Sequence, residues 1–182
     1  MRIFDKFSRG ENGGLSVEAV LVFPILIWAI TATIVFWDAF KTINISQRAT
    51  YTIADMLSRE TEAIDPDFLT AAHETFDFLA GSNGDNALRV TVVTMVEDPD
   101  TLIKTIELVW SEGVGGINGY TDLDIIEDRL PDMAAGDQMI VVETEQEWAP
   151  AFAVGLTSYR FREVALSRPR FAPQLVWDAT GA

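Results

Sequence analysis

Hydrophobic and polar positions change their rhythm twice along this chain. From Ala19 to Trp37 no charged residue appears, from Phe40 to Leu57 apolar residues recur at helical spacing, and from Leu88 onward β-type stretches dominate. At 1.5 Å of rise per residue the first run spans about 28 Å, close to the ~30 Å hydrocarbon core of a bilayer. It predicts a membrane-spanning helix. Beyond Trp37, Phe40, Ile43, Ala49, Ile53, Met56 and Leu57 form one stripe against Asp38, Lys41, Asn44, Gln47, Arg48 and Asp55. Neither Gly nor Pro separates the two patterns. The spacing therefore predicts a single helix from near Leu15 to about Arg59, its outer half packed on a folded domain.

Asp65-Pro66 supplies an N-cap and a first-turn proline for a second helix, with Phe68, Leu69, Ala72, Phe76 and Leu79 at three- and four-residue intervals. The turn Gly81-Ser82-Asn83-Gly84-Asp85 ends it. Leu88 to Val96 and Leu102 to Trp110 read as strands joined by Glu97-Asp98-Pro99-Asp100, an antiparallel hairpin with Leu108 and Trp110 on its buried face. Gln138 to Trp148 and Tyr159 to Leu166 read as two more strands. Between the hairpin and the third strand, the glycine-rich then acidic segment Gly113 to Gly136 predicts a variable surface insert with a short helix around Leu123 to Leu130. The end, Ser167 to Pro173, is expected to be extended. The fold class is α+β: a long N-terminal transmembrane and stalk helix, then a second helix packed on an antiparallel sheet of about four strands. Three parts are expected, residues 1–13 as a leader, 14–60 as the transmembrane and stalk helix, and 61–182 as the α+β domain.

Charge sharpens this picture. The chain carries 28 acidic against 13 basic residues in 182, a formal net charge of −15. Phosphate binding needs clustered cations, so nucleic acid is not an expected partner. Arg2, Lys6 and Arg9 stand before the apolar run and nearly all the negative excess after it, which predicts a cytoplasmic N-terminus with the acidic body across the membrane. Cysteine is absent, which removes disulfides and thiolate chemistry and is compatible with either side of the membrane.

Glu18, just inside the apolar run, is the informative acid. It can mark the headgroup boundary, or it can be a functional charge with a partner. Three fates are open for the segment: a plain anchor, a cleaved secretory signal, or a signal of the prepilin kind. The run is longer than a secretory core, and Ala29 and Ala32 lie inside it rather than after it, so conventional cleavage is not expected. The order of basic leader, Gly13-Gly14, three residues, Glu18 and an apolar helix containing Pro24 resembles the pilin and pseudopilin superfamily. More narrowly, Gly13, Val17, Glu18, Ala19, Leu21 and Pro24 look like the TadE-like family of tight-adherence (Tad, or Flp-type) pilus systems. The resemblance covers about the first third of the chain, with Ala19 standing where these proteins usually carry an aromatic residue. Met139 to Glu143 with Trp148-Ala149-Pro150, then Ser167-Arg168-Pro169-Arg170, matches the family's close loosely.

The resemblance implies cleavage by a prepilin peptidase between Gly13 and Gly14, leaving Glu18 fifth in the mature chain. A new α-amine there has an ordinary pKa of about 7.7–8.0, and Glu18 can pair with that amine on a neighbouring subunit. It also implies a minor pilin or pseudopilin, held in the bacterial inner membrane with its C-terminal domain in the periplasm, whose partners are other pilins and pilus assembly proteins. The alternative is an unprocessed single-span scaffold whose outer domain binds another envelope protein.

Nothing in the pattern points to an enzyme, a cofactor, a metal or a small-molecule substrate. His73 has Glu74 and Asp77 near it but lacks a second strong ligand set. Asp122, Asp124, Glu127, Asp128, Asp132 and Asp137 lack the spacing of a calcium loop. Gly113-Val114-Gly115-Gly116 does not open a helix with dinucleotide spacing, and Ser16, Ser58 and Ser158 have no nucleophile-elbow context.

Overall fold

The computed structural model describes residues 12–81 and 85–181. Helix α1, Asn12–Ser58, runs for 47 residues and contains Pro24 without interruption. Most of the leader lies outside the described residues, as does the turn at 82–84. Helix α2, Pro66–Ala80, begins as its sequence dictates: the Asp65 carboxylate accepts a 2.7 Å bond from the Phe68 N–H, and Pro66 occupies the first turn. Gly81 ends it at φ 64°, a left-handed conformation open to glycine without a Cβ penalty.

Strands β1 (Ala87–Glu97), β2 (Lys104–Val114), β3 (Gln138–Trp148) and β4 (Tyr159–Ser167) form one sheet in the order β2-β1-β3-β4, with every neighbouring pair antiparallel. The chain is therefore α+β, a long apolar N-terminal helix followed by a second helix and a four-stranded antiparallel sheet. The chain divides into two compact units. One joins α1 as far as Lys41 with the β3–β4 connection Ala149–Ser158, and the other holds Thr42–Trp148 and the chain from Tyr159.

In the second unit, the outer half of α1 and α2 bury Ala49, Ile53, Leu57, Leu69, Ala72 and Phe76 in one cluster with Leu88, Val90, Val92, Ile140, Val142 and Ala165 of the sheet. The alternation in β1 and β3 sends Val93, Met95 and Met139 to the opposite face, where Met133, Leu123 and Leu130 of the insert pack with them. Both faces of the central strands are thus covered. This explains why β1 and β3 are buried at nearly every position rather than at alternate ones.

The hairpin differs from its sequence reading in one respect. Val92 faces Trp110 while Val93 faces Leu108, so Val109 is an extra residue in β2, a β-bulge. Cross-strand partners share a face, so Trp110 joins the helix-side core and Leu108 is turned to the other side. The strand itself starts at Lys104 and runs on to Val114, beyond the expected Trp110. At its turn the Asp98 carboxylate accepts bonds from the N–H groups of Asp100 (2.8 Å) and Thr101 (3.2 Å), which hold its pKa below the usual value.

The insert forms only a 3-10 turn, Glu127–Arg129, where a longer helix is expected. Pro131 follows within two residues, and Leu123, Ile126, Leu130 and Met133 turn inward to hold the segment. Beyond Ser167 the chain is irregular, but it does not hang free. Ile64 and Trp177 form a parallel bridge, through Ile64 N–H to the Val176 carbonyl at 2.8 Å and Asp178 N–H to the Ile64 carbonyl at 2.7 Å. Leu175 is buried at 2 % exposure, and Trp177 stacks on Trp110 at 5.5 Å between ring centroids. The Trp110 indole N–H donates to the Leu175 carbonyl at 2.9 Å.

Because Leu175 completes the core, Leu175→Ala should cost about 3 kcal/mol of stability through lost burial and a residual cavity. Denaturant titration of the full chain in detergent, followed by tryptophan fluorescence, measures this. A loss below about 1 kcal/mol, the range of an exposed position, would remove the tail from the core.

Candidate functional site

The residues singled out by the sequence lie together at the start of α1. The Gly13–Gly14 bond is helical backbone, and Val17 and Glu18 are exposed on the following turn. Glycine costs a helix roughly 1 kcal/mol relative to alanine, so two in succession make this first turn the easiest part of α1 to unwind. Glu18 stands one helical turn after Gly14. With Ala19, Val22 and Phe23 it borders a shallow concavity on the helix surface.

Beyond Glu18 the helix is apolar all round. Leu21, Phe23, Ile25, Ile27, Trp28, Ile30, Ile34 and Trp37 are all exposed, and Trp37 reaches 73 %. Over an 18-residue window the mean hydropathy is 2.5, and among the described residues this is the one helix long and apolar enough to cross a membrane. The two hydroxyls of this uncharged stretch are satisfied within the helix. Thr31 Oγ1 donates to the Ile27 carbonyl and Thr33 Oγ1 to the Ala29 carbonyl, both at 2.8 Å. In a medium without water such back-bonding removes the cost of a bare hydroxyl. Glu18 and Asp38 bracket the stretch at about 30 Å along the axis, matching a bilayer core. Pro24 sits inside it, where its missing N–H leaves the Val20 carbonyl without its helical partner.

A second cluster went unnoticed in the sequence. Arg89 of β1 and Glu143 of β3 are direct cross-strand partners on the insert side of the sheet. The Arg89 Nε donates to Glu143 Oε2 at 2.8 Å, its Nη1 to the Asn118 carbonyl at 3.2 Å and its Nη2 to the Tyr120 hydroxyl. The Tyr120 hydroxyl in turn donates to Glu143 Oε1 at 3.1 Å. Both charged side chains are nearly buried, at 13 % and 11 % exposure. Gly119 delivers the tyrosine: a Cβ there would lie 1.9 Å from the Ser111 carbonyl oxygen, so only glycine lets the insert fold this closely onto β2. Next along β3, Glu145 pairs with Arg160 at 3.2 Å and Arg162 at 2.8 Å. These ion pairs satisfy one another and stitch the insert and β4 to the central strands. The sequence signal was an arginine in a valine-rich strand and, in β3, a glutamate directly after the run Met139-Ile140-Val141-Val142.

His73 is a packing residue with polar company. Its Nε2 lies 3.0 Å from the Asn86 carbonyl, its Nδ1 3.9 Å from Asp77, and Gly115 approaches so closely that a Cβ would sit 2.8 Å from the ring. Among the described residues no group of three or more His, Asp or Glu side chains is placed to hold a metal ion.

Removing one partner of the Arg89–Glu143 pair leaves a nearly buried charge alone, so Arg89→Ala should destabilise the second unit by about 3 kcal/mol, read by thermal or denaturant melting. Burial, reinforced by the Glu143 carboxylate, raises the Tyr120 phenol above its ordinary 10.0. The unfolded chain then releases this proton first, so folding loses stability as pH rises past about 10 and continues to lose it up to the folded-state value. Tyr120→Phe should flatten that alkaline loss, and an unchanged slope between the two proteins above pH 10 would show that the phenol plays no part.

No protein-family model matches the chain, and no curated protein or solved structure is significantly similar to it.

Proposed function

We propose that this chain is a minor pilin or pseudopilin of a Tad-type pilus system, a structural protein rather than an enzyme. It is anchored in the bacterial inner membrane by α1, with its N-terminus in the cytoplasm and its α+β domain in the periplasm. A prepilin peptidase cuts between Gly13 and Gly14, and the protein then takes part in pilus assembly with other pilins and assembly proteins. The observation that carries this reading is the layout of α1: paired glycines in its first turn, Glu18 one turn later, and an outward-facing uncharged stretch continuing helically to Ser58. A helix apolar on every side needs either lipid or other apolar helices around it, and a pilus protein meets first one and then the other.

Glu18 supplies the register in such an assembly. A carboxylate at the edge of an apolar stretch is costly without a partner, and the new α-amine on the adjacent subunit provides one of opposite charge. Helices that slip relative to one another leave both charges unpaired, so the apolar contacts set the affinity and the ion pair sets the axial position.

Mass spectrometry of the protein isolated from membranes tests the processing step. The expected mature chain begins at Gly14; an intact Met1 would overturn the pilin reading in favour of an unprocessed scaffold, and a cut elsewhere would overturn it as well. Glu18→Ala tests assembly separately: it should leave the membrane level of the protein unchanged while pilus output drops at least tenfold. Unchanged output would refute the amine–carboxylate pairing.

A further inference from the structure

We propose that the β3–β4 connection, Ala149–Ser158, is a second membrane contact that beds into the bilayer interface at the Trp37 end of α1. The inference rests on α1 crossing the bilayer, and its experiment separates the two claims. The sequence of the connection, Ala-Pro-Ala-Phe-Ala-Val-Gly-Leu-Thr-Ser, contains no charged residue in a chain otherwise rich in acids. Phe152 is exposed at 58 %. Of the rest of the folded chain, it is this connection that groups with α1 up to Lys41 into one compact unit.

Burial along α1 fixes the level. Val20 through Ile30 are exposed on every large side chain, and the first buried positions are Ala32 at 9 % and Val35 at 2 %. A helix does not bury a valine on its own backbone, and the segment that groups with this part of α1 is Ala149–Ser158. Asp38 is the first charge after the apolar run, so Ala32 and Val35 lie about 9 and 4.5 Å inside it along the axis. Interfacial segments settle about 5–10 Å into the boundary between headgroups and acyl chains, the same depth.

The backbone of the connection agrees with an interfacial position rather than a deeper one. It has no strand or helix, and its one internal backbone hydrogen bond runs from the Val154 N–H to the Phe152 carbonyl at 3.0 Å. Bare amides of this kind are excluded from the hydrocarbon but are hydrated at headgroup level. Phe36, Trp37 and Phe40 of α1, all exposed, supply the aromatic belt expected there, and Phe152 adds to it from a separate part of the chain. Tyr159, directly after the connection, faces Trp148 across the β3–β4 pair, so both ends of the segment are fixed to the sheet.

The lack of cysteine makes the test direct, because any introduced thiol is unique. The full chain carrying Phe152→Cys, Leu156→Cys, Ile27→Cys or Thr121→Cys is labelled with an environment-sensitive fluorophore and reconstituted into vesicles of zwitterionic and anionic phospholipid. Quenching is then compared between lipids with a nitroxide near the headgroup and lipids with one near the acyl end. Labels at 152 and 156 should be quenched at least twofold more by the shallow nitroxide, the label at 27 more by the deep one, and the label at 121 by neither. Labels at 152 and 156 that report water while 27 reports lipid would overturn the proposal and leave the membrane span standing. The same holds if 152 and 156 are shielded from both lipid and aqueous quenchers, since a protein contact then covers them. If 27 also reports water, the span and the proposal fail together.

Discussion

Between Ala19 and Trp37, α1 presents side chains that water solvates poorly at every angle around the helix, and no break in the backbone separates this stretch from the part that helps form the domain core. That continuity governs the chain. The same helix changes pattern without a linker: apolar all round at first, then a single stripe of Ala49, Ile53 and Leu57 against the sheet. Threonine hydroxyls at 31 and 33 turn back onto the helix in the first part, whereas Thr50 in the second also reaches Thr144 of β3 at 2.6 Å. Identical chemistry is spent locally where no partner exists and across elements where one does.

The sheet answers to a related demand. Two of its strands are covered on both faces, by helices on one side and by an irregular acidic insert on the other. An insert with so little regular structure has few backbone hydrogen bonds of its own to hold it. The Arg89–Tyr120–Glu143 group and the small methionine-rich cluster take over that task, one through directional bonds and the other through burial. Glycines at 113, 115 and 119 make the close approach possible, which gives them a steric role.

Much of this architecture was legible in the sequence because local signals agreed with one another. The α2 caps at Asp65 and Gly81, the span of β3 and the hairpin pairing all followed from residue chemistry acting within a few positions. What escaped reading depends on contacts between distant segments. The bulge at Val109 moves Leu108 and Trp110 to opposite faces, and no local feature of β2 announces it. An extended segment is expected from Ser167 to Pro173, and just beyond it Leu175 and Trp177 find their partners in Trp110 and Ile64. Around Leu123 to Leu130 the acidic segment predicts a short helix, but burial of its apolar residues against β1 and β3 decides the conformation. At the start of α1, Gly13, Gly14 and Glu18 were visible as an order of residues, and what the structure adds is that they share one helix whose following surface is bare.

The bridge between Ile64 and Trp177 joins positions near opposite ends of the folded domain. Closing it requires a loop containing α2 and all four strands, so its entropy cost is met only after the sheet has organised itself. Synthesis proceeds from α1 toward the tail. The hydrophobic surface of Ile53, Leu57 and Phe76 is therefore incomplete for most of the time the chain is being made, and the clasp that seals it is the last contact available. During that interval the nascent domain is at its most adhesive.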